Sequence, residues 1–226
     1  MKARIILAEA TSPDGGRLSL YEQDGAYGIS HNGQELMHSR ANASEILLGQ
    51  IGVAHLARDA TARVLVGGLG LGHTLRSVLD ATGPAVTVDV VELIPAVVEW
   101  NRTHLAPLNR DALNDPRCHV RVADAGSVIH NAKAHTYDTI LLDLDNGPVA
   151  MVAVNNARLY AGSGLRAVHA ALKPGGCAVF WSAGPDKAFA ARLTQQGFTT
   201  EAVPAKVHDR AKRAAYMLYV ARRKKS

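Results

Sequence analysis

Apolar residues along this chain change their period twice. Over roughly the first 40 positions they alternate with polar ones in short stretches, as in Leu18-Ser19-Leu20-Tyr21 and Ala26-Tyr27-Gly28-Ile29-Ser30. Asp14-Gly15-Gly16, Asp24-Gly25 and Asn32-Gly33 separate these stretches. Such pairs supply the backbone of tight hairpin turns. Period two between turn signals predicts a small antiparallel β-meander over residues 1–41. A unit of that size cannot bury enough surface alone, so it must pack on the remaining chain or on a second copy.

At Asn42 the period lengthens. Asn42 with Glu45 three positions on has the form of a capping box, and Ile46, Leu47, Ile51 and Leu56 recur at helical spacing. From Arg63 strands and helices alternate. The apolar runs predict strands over 63–67, 86–91, 118–122, 137–143, 176–182, 198–203 and 215–221, with helices over 72–82, 95–105, 124–133, 159–172 and 186–196. Pro174-Gly175-Gly176 marks the end of one helix before the next strand. This alternation predicts an α/β region over 42–226, a mostly parallel seven-stranded sheet covered on both faces. No helix fits between the last two strands, so they are expected to form an antiparallel hairpin at one sheet edge.

Composition narrows the class. An apolar fraction of 47% and a charged fraction of 20% exclude a disordered or fibrous chain, and 226 residues suffice for a sizeable core. The net charge of +5 is concentrated at the end, where Lys206, Arg210, Lys212, Arg213, Arg222, Arg223, Lys224 and Lys225 fall. A nucleic acid could use that end, but a solvated basic tail is the simpler account. Cys118 and Cys177 sit in apolar runs and read as buried thiols in a reducing compartment. The ten histidines lack metal-ligand spacing, so no metal is expected. The apolar core after Met1 is too short for a signal peptide, and no uncharged stretch would span a bilayer. The expected setting is cytoplasmic, without a membrane partner.

Four strand ends carry the candidate chemistry. Val64-Leu65-Val66-Gly67-Gly68-Leu69-Gly70-Leu71-Gly72 is a strand running into a tight turn and a helix start. Without a Cβ at Gly68, Gly70 and Gly72, backbone can approach a ligand closely. His73 breaks the dinucleotide pattern G-x-G-x-x-G. Glu92 ends the next apolar run, where a carboxylate can accept both ribose hydroxyls. Asp124 ends the following strand, placed to meet an adenine amino group or to cap the next helix. Asp143, Asp145 and Asn146 end the fourth strand. Asp143 can accept a proton from an amine nucleophile, and Asp145 and Asn146 can orient that amine. The competing reading is a plain Asp-Asn-Gly-Pro turn. Trp181, at the end of another strand, is a further candidate for the pocket wall.

In this order these elements resemble the class I S-adenosylmethionine-dependent methyltransferase fold, a Rossmann-like architecture. More narrowly they resemble the spermidine synthase (polyamine aminopropyltransferase) family. The likeness extends over Leu75-Arg76, Val91-Glu92, Asp115-Pro116-Arg117, Asp124-Ala125, Tyr137-Asp138 to Asp143 and Leu172-Lys173-Pro174-Gly175-Gly176. It implies a Glu92 that holds ribose, an Asp124 with Ala125 at the adenine, and an Asp143 that serves the acceptor amine as base. The family turn G-G-G-D-G-G is altered here. Leu71 stands at its aspartate and His73 at its last glycine. Asn146 replaces a second aspartate, and the tyrosine-histidine-glutamate gate is reduced to Ser44-Glu45.

The resemblance implies an enzyme that uses an adenosyl-sulfonium cofactor. That family aspartate pairs with the cationic aminopropyl tail, and leucine cannot. The first expectation is therefore methyl transfer from S-adenosylmethionine to an amine or another small nucleophile. The alternative is aminopropyl transfer from decarboxylated S-adenosylmethionine to a polyamine. A third is a non-catalytic nucleoside-binding module. The N-terminal β unit suggests a homodimer.

Overall fold

A computed structural model of the chain describes residues 3–144 and 156–225. Its strands fall into two sheets. The first is antiparallel, in the order β1 (Ile5–Thr11), β2 (Arg17–Gln23), β3 (Ala26–His31) and β4 (Gln34–His38). Asp24 and Asn32, with Gly15, Gly25 and Gly33, take positive φ in its hairpin turns, as the turn signals require.

Helix α1 (Ala43–Val53) leads into the second sheet. There follow β5 (Arg63–Gly67), α2 (His73–Ala81), β6 (Thr87–Glu92), α3 (Pro95–Arg102), α4 (Ala106–Asn109), β7 (Cys118–Val122), α5 (Ala125–His130) and β8 (Tyr137–Leu142). The chain continues through α6 (Asn156–Leu159), α7 (Gly162–Ala171), β9 (Leu172–Ser182), α8 (Lys187–Gln195), β10 (Phe198–Ala205) and β11 (Tyr216–Arg223). The spatial order is β10-β11-β9-β8-β5-β6-β7. Strands β5 to β9 pair in parallel, and β11 runs antiparallel to both β9 and β10. This is the α/β fold expected, edge hairpin included.

The two sheet faces carry separate cores. Val64 and Val66 of β5 pack with Leu48, Val53, Leu75, Val78, Val97 and Trp100 from α1, α2 and α3. Leu65, between them, packs on the opposite face with Ile129, Leu165, Val168, Phe189 and Leu193. The period of two in β5 thus divides one strand between two cores. Leu18, Leu20 and Ile29 of the N-terminal sheet join the first core. That sheet lacks a core of its own and shares the one beneath the seven-stranded sheet.

Three local expectations are corrected. Strand β9 begins at Leu172, so Pro174-Gly175-Gly176 lies inside the strand and not ahead of it. Asn42 makes no side-chain capping bond, so no capping box forms; instead the amide of Ala43 donates to the carbonyl of Val207 at 3.2 Å. The predicted helix over 95–105 ends early, at Arg102, where Leu105 donates to the carbonyl of Trp100, five residues back, at 2.8 Å, and a separate short helix α4 begins at Ala106. Among the described residues no helix is long and apolar enough to cross a membrane.

Candidate functional site

Gly68 follows β5, Glu92 ends β6, Asp124 follows β7 and Asp143 follows β8, so all four stand at the carboxyl edge of neighbouring parallel strands. Between β5 and β8 the chain direction of winding reverses, and open α/β sheets hold ligands at such a point. There a cavity of about 360 Å3 opens beneath the N-terminal sheet. Gly68, Gly70, Glu92, Asp124, Ala125 and Asp143 all line it. Gly72 stands one step behind, as the left-handed residue (φ 85°) that starts α2. Asp145 and Asn146 lie outside the described residues.

Backbone bonds lock the glycine turn between its neighbours. The amide of Gly68 donates to the carbonyl of Val91 at 2.9 Å, and the amide of Asp143 donates to the carbonyl of Gly67 at 2.9 Å. Gly68 has φ +91°, and a Cβ there would stand 2.3 Å from the carbonyl oxygen of Asp143. Close approach as well as torsion therefore demands glycine.

Glu92 is buried and already structural. Its Oε2 accepts from the amide of Leu69 at 2.9 Å and its Oε1 from the amide of Ile94 at 2.8 Å. Burial raises its pKa, and the amides of Ile94 and Leu69 oppose that rise. A carboxylate held this way keeps one orientation, with lone pairs left for a ligand's hydroxyls. Asp124 caps α5, its Oδ2 accepting from the amide of Ser127 at 2.7 Å. It lines the cavity as well.

A second group of polar side chains faces Asp143. Thr74 donates its hydroxyl to Asp143 Oδ2 at 2.6 Å. Ser44 donates to Glu45 Oε2 at 2.8 Å. Glu45 is pushed up to about 7, first by burial and then by the charge of Asp143. Tyr216 is raised by burial and by Glu45. Trp181 packs against the Tyr216 ring with centroids 4.9 Å apart, and both line the cavity. From the N-terminal sheet comes Glu35, bonded to the Tyr21 hydroxyl and paired with Arg4 at 3.3 Å.

The wall therefore carries five carboxyl side chains: Glu35, Glu45, Glu92, Asp124 and Asp143. Among the described residues that line the cavity there is no lysine or arginine. His73 adds no charge near neutrality, because burial pulls its pKa down to about 4. Leu69 and Leu71 from the glycine turn, with Ile94 and Val97, supply apolar surface. Glu35 and Glu45 have no place in the strand-end pattern. They arrive from β4 and α1, and Glu45 carries the sequence signature of a capping residue.

Comparison with known proteins fits this geometry. Residues 48–189 match the family model for the spermine/spermidine synthase domain. Polyamine aminopropyltransferase 2 of Pseudomonas aeruginosa is 32% identical over 157 residues, which is 68% of this chain and 40% of that protein. The chain thus spans well under half the length of that relative. The spermidine synthase of Thermotoga maritima has the same fold, with a TM-score of 0.75 at 19% identity over 98% of this chain and 73% of its own. A spermidine synthase in complex with the transition state analogue AdoDATO superposes with a TM-score of 0.73, at 18% identity and the same coverage. These findings overturn methyl transfer as the first expectation. By its matched domain, the chain belongs to the spermine/spermidine synthase family.

Proposed function

We propose that this chain transfers an aminopropyl group from decarboxylated S-adenosylmethionine to a small-molecule amine. The observation that carries this is the acidic lining of the cavity, five carboxyl groups, of which Glu35 is paired with Arg4, and no lysine or arginine among the described lining residues. Both reactants are cations, a sulfonium and an alkylammonium. A desolvated cation is costly unless a counter-charge answers it.

The sulfonium supplies an activated methylene carbon and a thioether leaving group; the protein supplies alignment and electrostatics. Glu92, preset by the amides of Leu69 and Ile94, takes the ribose hydroxyls. Asp124 and Ala125 take the adenine. Gly68, Gly70 and Gly72 let backbone approach the nucleoside. Asp143, steadied by Thr74, holds the acceptor amine, and Asp145 and Asn146 stand next along the chain. The N-terminal β unit, residues 1–41, roofs the site, and residues 42–226 form the adenosyl-sulfonium-binding domain. Exposed Ile5 and Ile6 on edge strand β1 support a homodimer through that unit. The two free thiols suit a reducing, cytoplasmic setting.

The test is direct. Purified protein is given decarboxylated S-adenosylmethionine with each of several diamines, and methylthioadenosine is measured with the elongated amine. Stoichiometric formation of both supports the proposal. Nucleoside binding without either product would leave a binding module instead.

A further inference from the structure

We propose that Glu45 is the general base of this transfer: its carboxylate takes a proton from the incoming alkylammonium while Asp143 holds the resulting amine for attack. The inference rests on the function proposed above and reassigns the proton from Asp143.

The geometry divides the labour between the two acids. Asp143 has its Oδ2 engaged by Thr74 at 2.6 Å, and the same hydroxyl reaches the carbonyl of Glu45 at 3.3 Å. Thr74 thereby ties the strand end that bears Asp143 to the first turn of α1. Glu45 occupies the third helical position, where a capping box would turn its carboxylate back to the backbone. Asn42 makes no side-chain cap, so the reciprocal box does not form. The Glu45 carboxyl lines the cavity, bonded to its own backbone amide and steadied by Ser44 at 2.8 Å.

Its surroundings suit proton transfer. Asp143 faces it from the end of β8, Tyr216 from β11, and Thr74 with uncharged His73 from α2. Burial and the Asp143 charge hold Glu45 near 7, where a carboxylate is a far better base than at its ordinary value. In the step, R–NH3+ and the carboxylate become R–NH2 and a carboxylic acid. The nitrogen lone pair then forms the N–C bond as the C–S bond breaks, and the bonding pair stays on sulfur as a thioether. The product leaves as a secondary ammonium ion, and the Glu45 proton passes to water.

The experiment compares pH–rate profiles of wild type, Glu45→Gln and Asp143→Asn, using 1,4-diaminobutane and decarboxylated S-adenosylmethionine. Methylthioadenosine binding is followed by calorimetry. Glu45→Gln should lower kcat by about 100-fold or more, keep nucleoside affinity and erase the acidic limb near neutrality. Asp143→Asn should raise KM and move that limb to lower pH, because a negative neighbour is gone. A Glu45→Gln enzyme that keeps the wild-type limb, or most of its kcat, would overturn the inference and leave the proposed function standing. Wild-type protein that transfers nothing would overturn the proposed function itself. If Glu45→Gln loses nucleoside binding through misfolding, carboxyl NMR of the wild type decides. A Glu45 titration near 7 supports the inference, and one in the ordinary carboxylate range defeats it.

Discussion

Asn101 donates its side-chain amide to the carbonyl oxygen of Gly70 at 2.8 Å, across 31 positions of sequence. The same nitrogen bonds the carbonyl of Val97 at 2.9 Å, and its oxygen accepts from Asn109 at 2.8 Å. Helix α3 thus fastens the glycine turn from behind while Glu92 fastens it from the side. The turn is rigid although three of its residues are glycine.

Replacing Asn101 with alanine removes the donor to the half-buried Gly70 carbonyl and leaves the buried Asn109 amide only its 3.3 Å bond to the residue-101 carbonyl. We expect a loss of about 2–3 kcal/mol in urea unfolding, with weaker nucleoside binding. A loss below about 0.5 kcal/mol would show that the turn does not depend on this anchor.

Gly68→Ala combines a positive φ with a Cβ 2.3 Å from the Asp143 carbonyl oxygen. Gly15→Ala has a similar φ, +85°, with nothing within 4 Å. The Gly15 variant should lose about 1 kcal/mol and the Gly68 variant clearly more, in the upper part of the ~1–3 kcal/mol range for backbone strain or beyond it. Equal losses would mean that the close approach costs nothing.

Glu92→Ala strips the amides of Leu69 and Ile94 of their acceptor, whereas Glu92→Gln retains one oxygen. Calorimetry with methylthioadenosine should register a weakening of roughly 100-fold for alanine and roughly 10-fold for glutamine. Matching losses would assign the effect to charge alone.

Glu45 also predicts a pH dependence of stability. Its folded pKa, about 7, lies above the ordinary 4.5, so the folded state favours the protonated acid. Its contribution is fully present below the unfolded value and is lost as pH rises through 7. Glu45→Gln cannot ionise. Its Tm relative to wild type should therefore climb between pH 5 and pH 8, by about 2–4 °C for each kcal/mol recovered. A constant difference across that range would mean that Glu45 ionises as freely folded as unfolded.

The strand-end half of the site was legible because a parallel sheet gathers the carboxyl ends of consecutive strands at one edge. Gly68, Glu92, Asp124 and Asp143 needed no tertiary knowledge beyond that rule. Glu35 was not legible as a site residue, and Glu45 was legible only through the resemblance, as the remnant of a gate and not as a group facing Asp143. Their positions depend on how β4 and α1 fold back over the edge, and nothing local records it. This gap misdirected the reaction. Leu71 in place of an acid suggested a site with weakened demand for a cation, but the wall's negative charge is collective and draws on elements far from the turn. The boundary at Pro174-Gly175-Gly176 failed for a smaller reason. Strand β9 carries these residues before its fully buried stretch, and Gly175 takes φ +79° beside Lys225.

The bond from Ala43 to Val207 joins the start of α1 to the loop between β10 and β11. That loop is basic, largely exposed and more than 160 residues away in sequence from the helix it holds. A protease cut or a bulky insertion between Val207 and Ala215 would leave every pocket residue in place on paper. It would nonetheless take the Val207 bond from the first turn of α1, leaving that turn and Glu45 to the hydroxyls of Thr74 and Ser77. Engineering of this loop thus touches the support of Glu45 through one peptide group, with α2 as the second anchor.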